Sequence, residues 1–102
     1  MISATVTGHL TADAEGRFDD PGASPVVMFS LASNRKKRNE WVADFVRCKI
    51  RRHWASSILD RLRKTAHVVV MGELMTFRHN DGGLDLEMVV EKLEFLDRSD
   101  TP

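Results

Sequence analysis

The sequence predicts an all-β fold: a small Greek-key barrel of five strands with one short helix between the third and the fourth. Three observations carry this. Apolar and polar residues alternate with period two through most of the chain. One segment, 55–64, reads as a helix; a helix is also open to 86–96, but the turn before it argues for a hairpin. Turn-forming residues separate the runs. A length of 102 residues fits one domain, expected to span 1–102.

The elements follow in order. In ISATVTGHL (2–10), Ile2, Ala4, Val6 and Gly8 fall on one side and Ser3, Thr5 and Thr7 on the other, a half-buried strand. Residues 11–25 are rich in Gly, Pro and Asp and read as a loop. VVMFSLASN (26–34) is a second strand with a buried middle, and RKKRNE (35–40) a charged turn. The third strand, 41–52, turns Val46, Cys48 and Ile50 inward. In ASSILDRLRK (55–64), Ala55, Ile58, Leu59 and Leu62 have helical spacing, and Arg61, Arg63 and Lys64 suit the C-terminal end of the helix dipole. Ser56 and Ser57 are expected to cap this helix, and Trp54 before it reads as a core anchor or, less favoured, as a platform for a base. A fourth strand, 67–79, turns at NDGG (80–83) into a fifth, 84–96. Three strands, a helix and two strands is the layout of an OB-fold, whose face and loops often hold oligonucleotides or oligosaccharides.

Formal net charge is zero, but it is segregated. Residues 35–64 hold eleven Lys/Arg against three acids, and the rest of the chain holds four against twelve. This points to one anion-seeking region in a polar field. Asp81–Pro102, with seven acids and two cations, is expected to look away from any bound polyanion. Cys48 is the one cysteine, which excludes an internal disulfide and fits a reducing compartment. No apolar run approaches about 18 residues, and the N-terminus lacks the basic and apolar regions of a signal peptide. A cytoplasmic, nucleoid-associated location without membrane contact is expected.

The third strand carries the functional signal. Phe45, Arg47, Lys49 and Arg51 share its outer face. Like charges at alternate positions sit roughly 6–7 Å apart and repel. Phosphates would relieve that repulsion, and Phe45 offers a platform for a base, which is how single strands are held without sequence readout. The strand alone does not separate this reading from a solvated charged face. The adjoining loop favours binding, because Arg35, Lys36, Lys37, Arg38 and Trp41 extend the same stripe and Arg52 continues it. Phe77, Arg78 and His79 repeat the theme at the tip of the next hairpin. Cys48, His9, His53, His67 and His79 match no zinc spacing, and Asp13, Asp19 and Asp20 read as a solvated loop, so neither metal nor cofactor is expected. No nucleophile elbow or phosphate-binding glycine loop occurs, and an enzyme accounts for none of these residues.

The stretches GHLTADAEGRF (8–18), FSLASN (29–34) and above all LRKTAHVVVMGELMT (62–76) resemble the bacterial single-stranded DNA-binding protein family. The resemblance implies sequence-independent binding of single-stranded DNA in replication, recombination or repair. It implies a homodimer or homotetramer built through the first strand, and contacts with replication or repair proteins. The family's stacking tryptophan of the third strand falls on Phe45, its second aromatic there on Arg51, its hairpin aromatic near His79 and its loop tryptophan near Arg35, with Trp41 as a substitute. These departures imply more reliance on phosphate charge and less on stacking. The family's acidic C-terminal tail has no counterpart in EKLEFLDRSDTP (91–102), which is also compatible with a dimeric relative of the primosomal replication protein N type.

Overall fold

The computed structural model describes residues 1–18 and 25–96. The strands are β1 (Ile2–Leu10), β2 (Glu15–Arg17), β3 (Val26–Lys37), β4 (Glu40–Ile50), β5 (His67–Arg78) and β6 (Leu84–Phe95). A short helix α1 (Ala55–Ile58) and a 3-10 turn (Leu59–Arg61) lie between β4 and β5. The strands run β1-β5-β6-β4-β3-β2 around one sheet, and β1 also pairs with β3. Five of them therefore close into a barrel, as an OB-fold requires, and β2 is added at the edge of β3.

Period two decides the interior. Val27, Phe29 and Leu31 of β3 are buried beside Val46, Cys48 and Ile50 of β4, Val68 and Val70 of β5, and Met88 and Val90 of β6. Leu62 and Ala55 close one end of this core. Burial pushes the Cys48 thiol up to about 12, so it stays neutral and packs as a small apolar group.

Four elements differ from the sequence reading. The loop 11–25 contains β2, whose three residues are all exposed and leave no apolar alternation to detect. RKKRNE is not a turn. Backbone pairing runs on to Lys37↔Glu40, and only Arg38 and Asn39 turn, with Arg38 in the left-handed region at φ 58°. The helix is one turn long. The hydroxyls of Ser56 and Ser57 donate back to the carbonyls of His53 and Trp54 instead of accepting from the helix N-terminus, a competition that weakens short helices. The cations placed on its dipole do other work: Arg61 lies 3.9 Å over the Phe95 ring and the Arg63 Nε donates to the Asp60 carbonyl. Trp54 is exposed at the strand–helix junction and is not a core anchor. Asp19, Asp20 and the terminal residues 97–102 lie outside the described residues.

Two close approaches shape the barrel. At Gly8, where β1 swings from β5 onto β3, a Cβ would sit 2.6 Å from the Ala32 carbonyl oxygen. At Gly72 it would sit 2.0 Å from the Val89 carbonyl oxygen. The β5–β6 register shifts at this point. Lys92 faces Met71 and Val90 faces Gly72, so Glu91 is an extra residue on β6.

The obstacle at Gly72 is backbone and cannot rotate away, so Gly72→Ala is expected to lower the unfolding free energy by about 1–3 kcal/mol. Urea denaturation checks it, and an unchanged midpoint would show that the bulge relaxes freely.

Candidate nucleic-acid interface

The β3–β4 ladder builds the outer face. Met28 lies opposite Lys49, Ser30 opposite Arg47, Ala32 opposite Phe45, Asn34 opposite Ala43 and Lys36 opposite Trp41. Opposed residues of an antiparallel pair share a face. Each large side chain of β4 therefore faces a shorter one across the ladder or stands near the open end of the hairpin. Phe45 and Trp41 are left 62% and 72% exposed, enough to offer a ring to a ligand. Further along the same ladder, away from Trp41, lies a groove of about 370 Å³, lined by Asp13 from the loop after β1, Met28 and Ser30 of β3, Arg47 and Lys49 of β4, and Glu87 of β6.

The same alternation divides the cations that the sequence placed on one stripe. Lys36 shares the face of Trp41 and Phe45, whereas Arg35 and Lys37 point to the other side of the arm and Arg38 sits in its turn. The Arg35 guanidinium is held by Asp44 at 2.6 Å. Arg51 and Arg52 follow the last residue of β4 and are exposed. On the neighbouring hairpin Phe77 lies opposite Asp85 and Arg78 opposite Leu84, so the two again point to opposite sides. Of the tip residues, Phe77 and His79 meet Asp85, with the His79 Nε2 at 2.7 Å from its carboxylate.

The acidic strand does not look away. β6 lies parallel and next to β4, with Arg47 paired to Glu87 and Lys49 to Val89. The outward acids of β6 therefore rise beside the outward cations of β4. Arg47 Nη2 is 2.7 Å from Asp85 Oδ2, Lys49 Nζ is 3.3 Å from Glu87 Oε1, and Arg52 pairs with Glu91. The repulsion expected along the stripe is relieved inside the molecule at Arg47 and Lys49, and Arg52 beyond it is paired as well, by three carboxylates that sequence reasoning missed. Asp85 and Glu87 stand at alternate positions of β6, a visible sign that both face outward. The parallel neighbour they meet is not written in any local pattern.

Among the described residues no cluster of three His, Cys, Asp or Glu could hold a metal ion, and no helix is long and apolar enough to cross a membrane. Asp13 instead accepts the Lys64 backbone N–H at 2.7 Å, and His9 stacks on His67 with ring centres 4.1 Å apart.

A family model, the single-strand binding protein family, matches residues 1–96. Single-stranded DNA-binding protein 2 of Chlorobaculum tepidum is 34% identical over 105 residues, covering 94% of this chain and 71% of the relative. The single-stranded DNA-binding protein of Mycobacterium leprae is 40% identical over 77 residues, covering 69% of this chain and 45% of the relative. The chain thus spans less than half the length of that second relative. Among solved structures, the Plasmodium falciparum SSB complex with ssDNA superposes with a TM-score of 0.76 at 23% identity, covering 95% of this chain and 96% of that one, a likeness of fold.

Proposed function

The chain belongs to the single-strand binding protein family, and from that premise we propose that it binds single-stranded DNA, with little sequence preference, across the outer face of β3 and β4. The observation that carries this reading is Phe45, an exposed ring set between small residues and beside Arg47 on the open face of an OB-fold barrel. An apolar ring of this size in water is a cost that a stacked base removes. Trp41 lies four residues along the same face, roughly 13 Å away, and takes a second base. Arg47, Lys49 and Lys36 meet the phosphates between and beside these rings. Arg52 meets a further phosphate beyond the end of β4, Phe77 and His79 border the same path, and the remaining cations, Arg35, Lys37, Arg38, Arg51 and Arg78, guide the strand toward it by charge. Every base has a flat face, so this mode serves single strands exposed in replication, recombination or repair without reading their sequence.

We also infer self-association through β1. This strand pairs with β5 along Ile2–His9 and meets β3 only at His9 and Leu10. Among the described residues no strand covers the remaining edge, where Met1 and Ile2 are exposed. An open, alternating edge pairs readily with a second copy about a two-fold axis.

Fluorescence titration with poly(dT) tests the first reading. Phe45→Ala is expected to weaken binding by about 1–3 kcal/mol while leaving the slope of log affinity against log salt nearly unchanged. Tighter binding to duplex than to dT oligomers would overturn it. Light scattering at micromolar concentration is expected to give the mass of a dimer or tetramer, and a monomer would contradict the role given to β1.

A further inference from the structure

The β6 carboxylates occupy the cations that a bound strand would need. We propose that Asp85, Glu87 and Glu91 are built-in competitors of phosphate, holding Arg47, Lys49 and Arg52 in the free protein and giving them up to the incoming strand. This rests on the single-stranded DNA reading above and adds three acidic residues that set its affinity.

The arrangement is repeated, not incidental. Three of the four cations from Arg47 to Arg52 have their own acid on the parallel neighbour, Arg51 being passed over, and the pairs progress in the same direction along both strands. The extra residue at the bulge is Glu91, the partner of Arg52. Bulges re-aim side chains in this way.

The pairs are suited to exchange. A carboxylate and a phosphate offer a guanidinium the same pair of acceptor oxygens, so one replaces the other without moving the arginine. The Arg47–Asp85 pair is open to water, with side chains 57% and 37% exposed, so solvent screens it and little is lost when it parts. His79, also bonded to Asp85, keeps a partner on that carboxylate after Arg47 leaves. Lys49 and Glu87 are more enclosed, at 28% and 16%, and should part less readily.

Two consequences follow from charge balance. A lone anion breaks one pair to make one contact and gains almost nothing, whereas a single strand adds stacking on Phe45 to the exchange. The surface thereby rejects small anions while it accepts a polynucleotide. The salt dependence is also blunted. Each phosphate contact on a single strand releases about 0.7 of a counterion. A carboxylate set free by that contact takes a cation back from solution, so an exchanged pair contributes less than an open cation.

The experiment is a dT-oligomer titration at several salt concentrations with wild type, Asp85→Asn, Glu87→Gln and Glu94→Gln. The last removes one negative charge from an exposed position elsewhere on β6, so it reports the effect of net charge alone. Asp85→Asn is expected to bind roughly two- to fivefold more tightly at low salt. Its slope of log affinity against log salt should steepen by up to about 0.7. Glu87→Gln should move the same way, and Glu94→Gln by less than half as much. Adding Arg47→Ala should cancel the gain of Asp85→Asn. Circular dichroism checks each variant, and Glu87→Gln supplies the comparison if Asp85→Asn does not fold. Asp85→Asn and Glu87→Gln variants that match wild type or Glu94→Gln in both affinity and slope would overturn the proposal while leaving the function in place. Failure of wild type itself to bind dT would overturn both.

Discussion

The parallel pairing of β4 with β6 is the constraint on which the rest of the structure depends. Four residue pairs, from Val46↔Leu86 to Lys49↔Val89, join the two hairpins into a closed barrel. On the inside this brings Val46, Cys48 and Met88 into one core. On the outside it sets Arg47 and Lys49 of β4 against Asp85 and Glu87 of β6. One register therefore serves both stability and charge. A shift of one residue would turn Met88 outward and Glu87 into the core, where an unpaired carboxylate is costly. Burial of the inner face thus enforces the ion pairs on the outer face, although exposed pairs of this kind contribute little stability themselves.

Beyond the barrel the β3–β4 hairpin continues as an arm. From Ser33↔Asp44 to Lys37↔Glu40 the ladder keeps its backbone bonds, but no interior remains to fill. Charged side chains cost nothing there, and the arm holds Lys36 and Trp41 on the face that continues Phe45 and Arg47. A platform extended this way gains area for a ligand without a larger core, which a chain of this size could not readily supply.

How much was legible in the sequence follows from the range of each interaction. The all-β class and the place of the short helix are written in local alternation, since Val27, Phe29, Leu31 and Val46, Cys48, Ile50 must face inward at every second position. Phe45, Arg47 and Lys49 were legible on the outer face by the same rule. What was not legible depended on partners distant in sequence. β2 is held by its backbone pairing to Val26–Met28 and carries no apolar signal. RKKR reads as a loop because hydropathy cannot see a ladder that needs no burial. The acids of β6 were assigned to a face turned away because strand order around a barrel, unlike strand identity, has no period. Spacing placed Arg35, Lys36 and Lys37 on one stripe, but alternation sends neighbours to opposite sides.

The most direct measurement is a residue-by-residue map of amide chemical shifts by nuclear magnetic resonance, with and without a short dT oligomer. The changes are expected to concentrate on Ser30, Ala32, Phe45, Arg47 and Lys49 and along the arm to Trp41. Smaller changes should appear at Asp85 and Glu87 as their cations are drawn away. Changes confined to the outer face of β1 and β5, with the β3–β4 face silent, would contradict it.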